Sequence, residues 1–153
     1  MAAGQILLKD VATFPIYAVF FEPLWPRDVV LNLSETANSK ILLVGATMDA
    51  RIYHGMWRIV GNVRPDLSHI PMPFFKVMIN GRDIIEDFFG RMVRVATAQD
   101  IRYYHNRFSS SPMIFEDAVK AYHRLGSVPE NMTRLTLEDS IAKSRPSPIL
   151  GMI

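Results

Sequence analysis

The sequence predicts an α+β fold: a curved antiparallel β-sheet, built as a meander, followed by two or three C-terminal helices. Two observations carry this expectation. Asn80-Gly81 stands between two β-rich runs, "FFKVMI" and "RDIIEDFF", and Asn-Gly tolerates the two positive φ angles of a type I′ turn, whose twist suits a hairpin. Beyond residue 97 the apolar spacing becomes helical. Ile101, Tyr104 and Phe108 fall at i, i+3 and i+7, and Phe115, Ala118, Val119 and Tyr122 form a second stripe.

The elements follow in order. "IYAVFF" (16–21) is β-branched and aromatic and reads as a strand. It runs into "EPLWPRD", where Pro23 and Pro26 lack a ladder donor and force a loop. "NLSETANSK" is polar and reads as a loop with at most one helical turn, and "ILLVGATM" (41–48) as a buried strand. Asp49 is placed to cap one turn, "ARIYH", ended by Gly55. "WRIVGNV" alternates, so it reads as a central strand with Trp57, Ile59 and Gly61 on one face. After the hairpin, "RMVRVA" is a third antiparallel strand. Thr97 and Asp100 have the spacing of a capping box, and Ser111-Pro112 opens the next helix as N-cap and first residue. Glu116 and Lys120 are spaced as an i,i+4 pair, Gly126 marks the stop, and "TLEDSIAK" continues as a short helix from Thr136. Residues 1–143 read as one domain, and 144–153 as a tail with no assignable partner.

Composition narrows the classes of function. With 153 residues, 49% of them hydrophobic, the chain can bury a sizeable core. With no cysteine it has no disulfide, thiolate metal site or cysteine nucleophile. "MAAGQILLKDV" lacks a basic leader and a long apolar stretch, so neither a signal peptide nor a membrane span is expected, and the absence of cysteine is compatible with a reducing cytoplasm. A net charge of +2 is slight for a nucleic-acid binder.

No constellation makes a persuasive catalytic or metal site. Asp83, Glu86 and Asp87 cluster in "DIIED", but they flank a hairpin with Arg82 and Arg91 nearby, which reads as solvated charge with local pairing. Glu86 with a histidine is the remaining acid–base candidate. His54, His69, His105 and His123 form no metal-binding pair, and neither a G-x-S-x-G elbow nor a phosphate-binding glycine loop is present. No cofactor is expected. Arg91, Arg94, Arg102 and Arg107 are the residues that a nucleic-acid-binding β module would align. On a helix through "RYYHNRF", Tyr103 is the aromatic left free. Trp25, between two prolines and beside Arg27, either packs over a sheet edge or serves as a partner-binding anchor.

Four stretches in this order, "MDARIYHGMWRIVGN", "IPMPFFK", "IEDFFGRMVRVATAQDI" and "RFSSSPMIFEDAVKAYHRLG", resemble the immunity protein 26 family of bacterial polymorphic toxin systems, over roughly residues 40–135. The opening, "LLKDVATFPIYAVFF", keeps an Asp and a Phe-Pro of the family's first strand but lacks its glycine turn. The resemblance implies a non-catalytic protein that binds a cognate toxin domain and occludes it. On this reading Trp57 and Gly61 hold a central strand, Phe75 plugs the sheet, and Trp25, Arg27 and Tyr103 are the partner-binding candidates. The runner-up is the nucleic-acid-binding module.

Overall fold

Among the described residues, six strands and five α-helices are arranged in two compact units. The computed structural model describes residues 1–11 and 14–146; residues 147–153 of the expected tail lie outside the described residues. The α+β class is as expected, with the antiparallel strands divided between two three-stranded sheets.

The first unit holds residues 1–70 and 109–137. Its sheet has the order β1 (Gly4–Val11), β2 (Phe14–Phe21), β3 (Ile41–Thr47), antiparallel throughout. β2 is central, and its four consecutive residues Ile16, Tyr17, Ala18 and Val19 are all buried, which requires cover on both faces. The register places Ile16, Ala18 and Phe20 opposite Thr47, Gly45 and Leu43. This face meets α4 (Pro112–Tyr122): Phe115 stacks on Phe20 at 4.8 Å, and a Cβ on Gly45 would sit 3.1 Å from the Phe115 ring. Leu135, in a short 3-10 turn (Met132–Leu135), completes the contact. The Thr47 hydroxyl donates to the Ser110 carbonyl at 2.9 Å and fixes the entry to α4. On the other face, Val19 and Phe21 line a cavity of about 120 Å³ with α1 (Leu33–Ala37) and the chain from Val63 to Ile70.

Ser111 and Pro112 start α4 as the sequence predicts. The stop comes earlier than Gly126. Arg124 adopts φ +59°, its amide donates to Ala121 and that of Leu125 to Lys120, the two bonds of a Schellman cap. Phe115, Ala118 and Val119 are buried as expected, but Tyr122 is exposed at the helix end and its hydroxyl meets Glu22. The expected Glu116–Lys120 pair is not formed. Lys120 pairs with Asp117 at 3.2 Å, and Glu116 is used elsewhere.

The second unit comprises residues 71–108 and, of the described residues, 138–146. Its sheet is the predicted meander, β4 (Phe75–Ile79), β5 (Arg82–Glu86), β6 (Met92–Val95). Asn80 at φ +50° and Gly81 at φ +75° make the hairpin turn. The capping box is present at α3 (Ala98–Tyr103), with Thr97 Oγ1 accepting from the Asp100 amide and Asp100 from the Thr97 amide. The helix ends sooner than its apolar spacing predicts. Tyr104 is already extended and buried, and the His105 carbonyl accepts from the Lys76 amide of β4, so Phe108 is not on a helical face. α5 (Leu137–Lys143) follows Thr136 as expected. The hydroxyls of Tyr103 and Tyr104 donate to the Ala142 and Arg145 carbonyls.

Glu86 is a correction. It is buried and paired with Arg107, which also donates to the Asp87 and Phe88 carbonyls and lies 4.6 Å from the Phe75 ring centre. A charge expected at the surface is thus held inside, neutralised by a residue 21 positions away. Asp87 follows the local pattern, accepting from the Arg91 amide and guanidinium at 2.9 and 2.6 Å.

Candidate protein-binding surface

The stretch "GMWRIVGNV" departs most from its sequence pattern. It forms no strand: residues 58–66 have no regular structure. α2 (Ala50–Tyr53) ends at Gly55, whose φ of +68° is the left-handed conformation that glycine adopts without strain. Asp49 stands at the N-cap without a side-chain bond to the helix. The amides of Met56 and Trp57 both return to the Arg51 carbonyl, at 2.8 and 2.9 Å, so the chain reverses sharply at this point.

Two sets of contacts then hold the segment. At its start, Glu116 of α4 accepts from Trp57 Nε1 at 2.9 Å and from the Arg51 guanidinium at 3.0 Å. Arg51 Nε also lies 3.0 Å from this carboxylate, off the line of a hydrogen bond, and adds charge attraction. The Trp57 ring stands edge-on to Phe20 at 5.4 Å. Further along, Gly61 passes so close to α1 that a Cβ would lie 2.3 Å from Leu33 Cδ1. The Val63 carbonyl accepts from Gln5 Nε2 at 3.1 Å. Trp57 therefore sits on the α4 side of the first sheet and Val63 on the α1 side, and the chain between them crosses from one face to the other.

What the segment buries and what it exposes are distinct. Trp57 is half-buried, while Tyr53 is 83% exposed and Ile59 69% exposed, with Met56 and Val60 also more than half exposed. Arg58 and Arg64 are exposed and have no ion-pair partner among the described residues. The expectation that Gly61 admits a close neighbour holds, but the neighbour is a helix side chain rather than a strand.

The residues singled out by sequence fall in different places. Trp25 and Arg27 lie in a loop of the first unit, where the Trp25 amide donates to the Met1 carbonyl at 2.9 Å. Trp25 is half-buried and Arg27 exposed, and Leu24, Val29 and Val30 of the same loop are exposed. Tyr103 belongs to the second unit and is not free. Its hydroxyl is 2.7 Å from the Ala142 carbonyl and Lys143 Nζ lies 4.0 Å from its ring centre. The arginine strip is largely engaged: Arg91 pairs with Asp87, Arg94 with Asp100 and Arg107 with Glu86, leaving Arg102 exposed.

Other chemistry is sparse. Among the described residues no group of three His, Asp or Glu is placed to hold a metal ion, and no helix is long and apolar enough to cross a membrane. His105 pairs with Asp139 at 3.2 Å. At the end of β2, hydrogen bonds from Lys40 and Tyr122 hold the Glu22 carboxyl below its ordinary pKa, and the same contact raises Tyr122. The cavity beside α1 is smaller than the roughly 300–1,000 Å³ of usual small-molecule pockets.

Exposed apolar side chains on a backbone tied at both ends, interleaved with arginine, are the material of a protein-contact surface. A family model described as Immunity protein 26 matches residues 2–85, and the chain belongs to that family. The matched span includes β1 and β2, where the sequence departs from the family's opening pattern, and the whole of the Trp57 segment; α3 and α4 lie beyond it. No curated protein and no solved structure matches the chain.

Proposed function

We propose that this protein is a cytoplasmic immunity protein of a bacterial polymorphic toxin system, which binds a cognate toxin domain and neutralises it by covering its working surface, without catalysis of its own. Membership of the Immunity protein 26 family carries this reading. The exposed apolar side chains of the first unit support it, because occlusion needs a contact surface rather than a reaction centre. Two loops offer one: the Trp25–Arg27 loop with Val29 and Val30, and the segment from Tyr53 to Arg64. The engagement of Arg91, Arg94 and Arg107 in ion pairs weighs against the nucleic-acid module, which needs free cations for phosphate.

The test is protection. The product of the reading frame next to the gene for this chain, taken as the candidate toxin, is expressed alone and together with it, and the purified pair is mixed at low and high salt. Growth restored by co-expression, with a complex that survives high salt, is the expected result. A toxin that kills equally in both cells and forms no complex would sink the immunity reading.

A further inference from the structure

We propose that the toxin seats on the segment from Tyr53 to Arg64, and that it presents there an apolar surface rimmed by carboxylates. This rests on the immunity reading above and assigns its contact face. Three features of the segment support it. First, Tyr53, Met56, Ile59 and Val60 are all more than half exposed within eight residues of chain. Scattered exposed apolar residues are ordinary, but a run of them on one short segment marks an interaction site.

Second, the backbone under them is fixed on both sides, by Trp57 and Arg51 on Glu116 and by Gly61 and Val63 against Leu33 and Gln5. Ordering a free loop on binding opposes association, and a segment already held in place avoids most of that loss. Third, the charge is one-sided. From Met48 to Arg64 the only acidic residue is Asp49, against Arg51, His54, Arg58 and Arg64, and the next acidic residue, Asp66, lies 3.8 Å from His69. Glu116 neutralises Arg51, which leaves Arg58, next to Ile59 in the chain, and Arg64, further along, without an ion-pair partner among the described residues. Opposite charge on the partner follows from electrostatic complementarity. Tyr, Met and Arg, without Lys or Glu, is also the composition enriched at interface cores.

These charges discriminate between occupants. In an isologous pair of this chain, the same two cations would recur on both sides of one patch, so a second copy fits poorly. A nucleic acid would leave four large apolar side chains against a hydrated polyanion.

The test uses the full chain and the same candidate toxin, with binding followed by calorimetry and stopped flow. Ile59→Asp and Arg58→Glu are the test variants. Met78→Asp, on an exposed residue of β4 in the second unit, is the control for the same chemistry elsewhere. All three positions are exposed, and a thermal melt of each variant shows that it folds. Ile59→Asp should weaken binding at least about 30-fold, as expected of an interface anchor. Arg58→Glu should slow association about tenfold at low salt and much less at high salt. Met78→Asp should bind like the parent.

Ile59→Asp and Arg58→Glu that both bind like the parent would overturn the proposed face and leave the immunity reading intact. So would equal losses from Ile59→Asp and Met78→Asp. A parent protein that neither binds the toxin nor protects would remove the immunity reading and the face with it. A dimer of the isolated chain dispersed by Ile59→Asp, or bound nucleic acid released by Arg58→Glu, would overturn the face in favour of those occupants.

Discussion

Trp57 Nε1 donates to Glu116 Oε1 at 2.9 Å across 59 residues of chain, and the same carboxylate takes the Arg51 guanidinium. One side chain of α4 thus fixes both the last turn of α2 and the loop that leaves it. Trp57→Phe keeps an aromatic edge toward Phe20 but removes the donor, and should cost about 1–2 kcal/mol. Glu116→Ala removes all three contacts and should cost more, about 2–3 kcal/mol, below the buried-pair range because the carboxylate is about a quarter exposed. Glu116→Gln, which can still accept from Trp57, should fall between. Thermal melts check the order, at roughly 2–4 °C per kcal/mol for a chain of this size. An alanine variant that melts like the parent would show that the contact does not hold the loop.

Gly61 explains why the chain takes this route, and it carries its own prediction. The residue has no positive φ, so alanine there meets no backbone strain; it meets Leu33 Cδ1 at 2.3 Å. Gly61→Ala should destabilise by about 1 kcal/mol, the low end of overpacking, because the atom met is the end of a half-exposed leucine side chain that can turn aside. Leu33→Ala alone should also destabilise by losing packing, but the double variant should recover part of the Gly61→Ala loss. Such recovery is a coupling that a double-mutant cycle measures directly. Strictly additive losses would mean that Leu33 yields without resistance.

Local chemistry was legible in the sequence, and long-range partnership was not. Asn80-Gly81, Thr97 with Asp100, and Ser111-Pro112 act within four residues, and each forms the predicted turn or cap. "WRIVGNV" has the alternation of a strand, but a strand also needs a neighbour to pair with, and alternation carries no information about that. The segment is instead tied by side chains of Glu116, Leu33 and Gln5. Glu116 and Glu86 were misread for the same reason. Their nearest cations in sequence suggested local pairs, while folding brought Arg51 and Arg107 to them from 65 and 21 residues away. The exposed patch was hidden because Tyr53, Met56, Ile59 and Val60 look like core residues until a structure shows them outside.

Acid should weaken the fold through Asp87. Burial pushes its carboxyl up, but hydrogen bonds from the Arg91 amide, the Arg91 guanidinium and the Phe89 amide outweigh it and hold the pKa below its ordinary value of 3.8. A depressed carboxylate pKa adds stability above the unfolded pKa, and that stability is lost as pH falls through the folded value. Asp66, lowered by the Ser68 contacts, and Glu22, lowered by Lys40 and Tyr122, act with the same sign. The melting temperature should therefore hold level from about pH 8 to 5 and decline below about pH 4. Asp87→Asn should melt lower at neutral pH and lose less on acidification. An identical acid slope in Asp87→Asn would remove Asp87 as a source.

The Arg94–Asp100 pair should respond asymmetrically to its two partners. Asp100 is fully buried and Arg94 about 40% exposed. The carboxylate accepts from Arg94 Nη2 at 2.7 Å, from the Thr97 amide at 2.8 Å and from the Thr97 hydroxyl at 2.7 Å. Arg94→Met strands a buried charge that keeps the Thr97 amide and hydroxyl as donors, and should cost about 2–3 kcal/mol, somewhat below the range for breaking a fully buried pair. Asp100→Asn keeps the shape and one acceptor but sets a buried amide donor where an oxygen accepted from the guanidinium, so it should cost about 1–2 kcal/mol. Thr97→Ala should cost about 1 kcal/mol through the lost N-cap. Chemical denaturation of the three variants orders them, with Arg94→Met the least stable. If Thr97→Ala proves the worst, the carboxylate stabilises chiefly through its helix cap, and the ion pair contributes little.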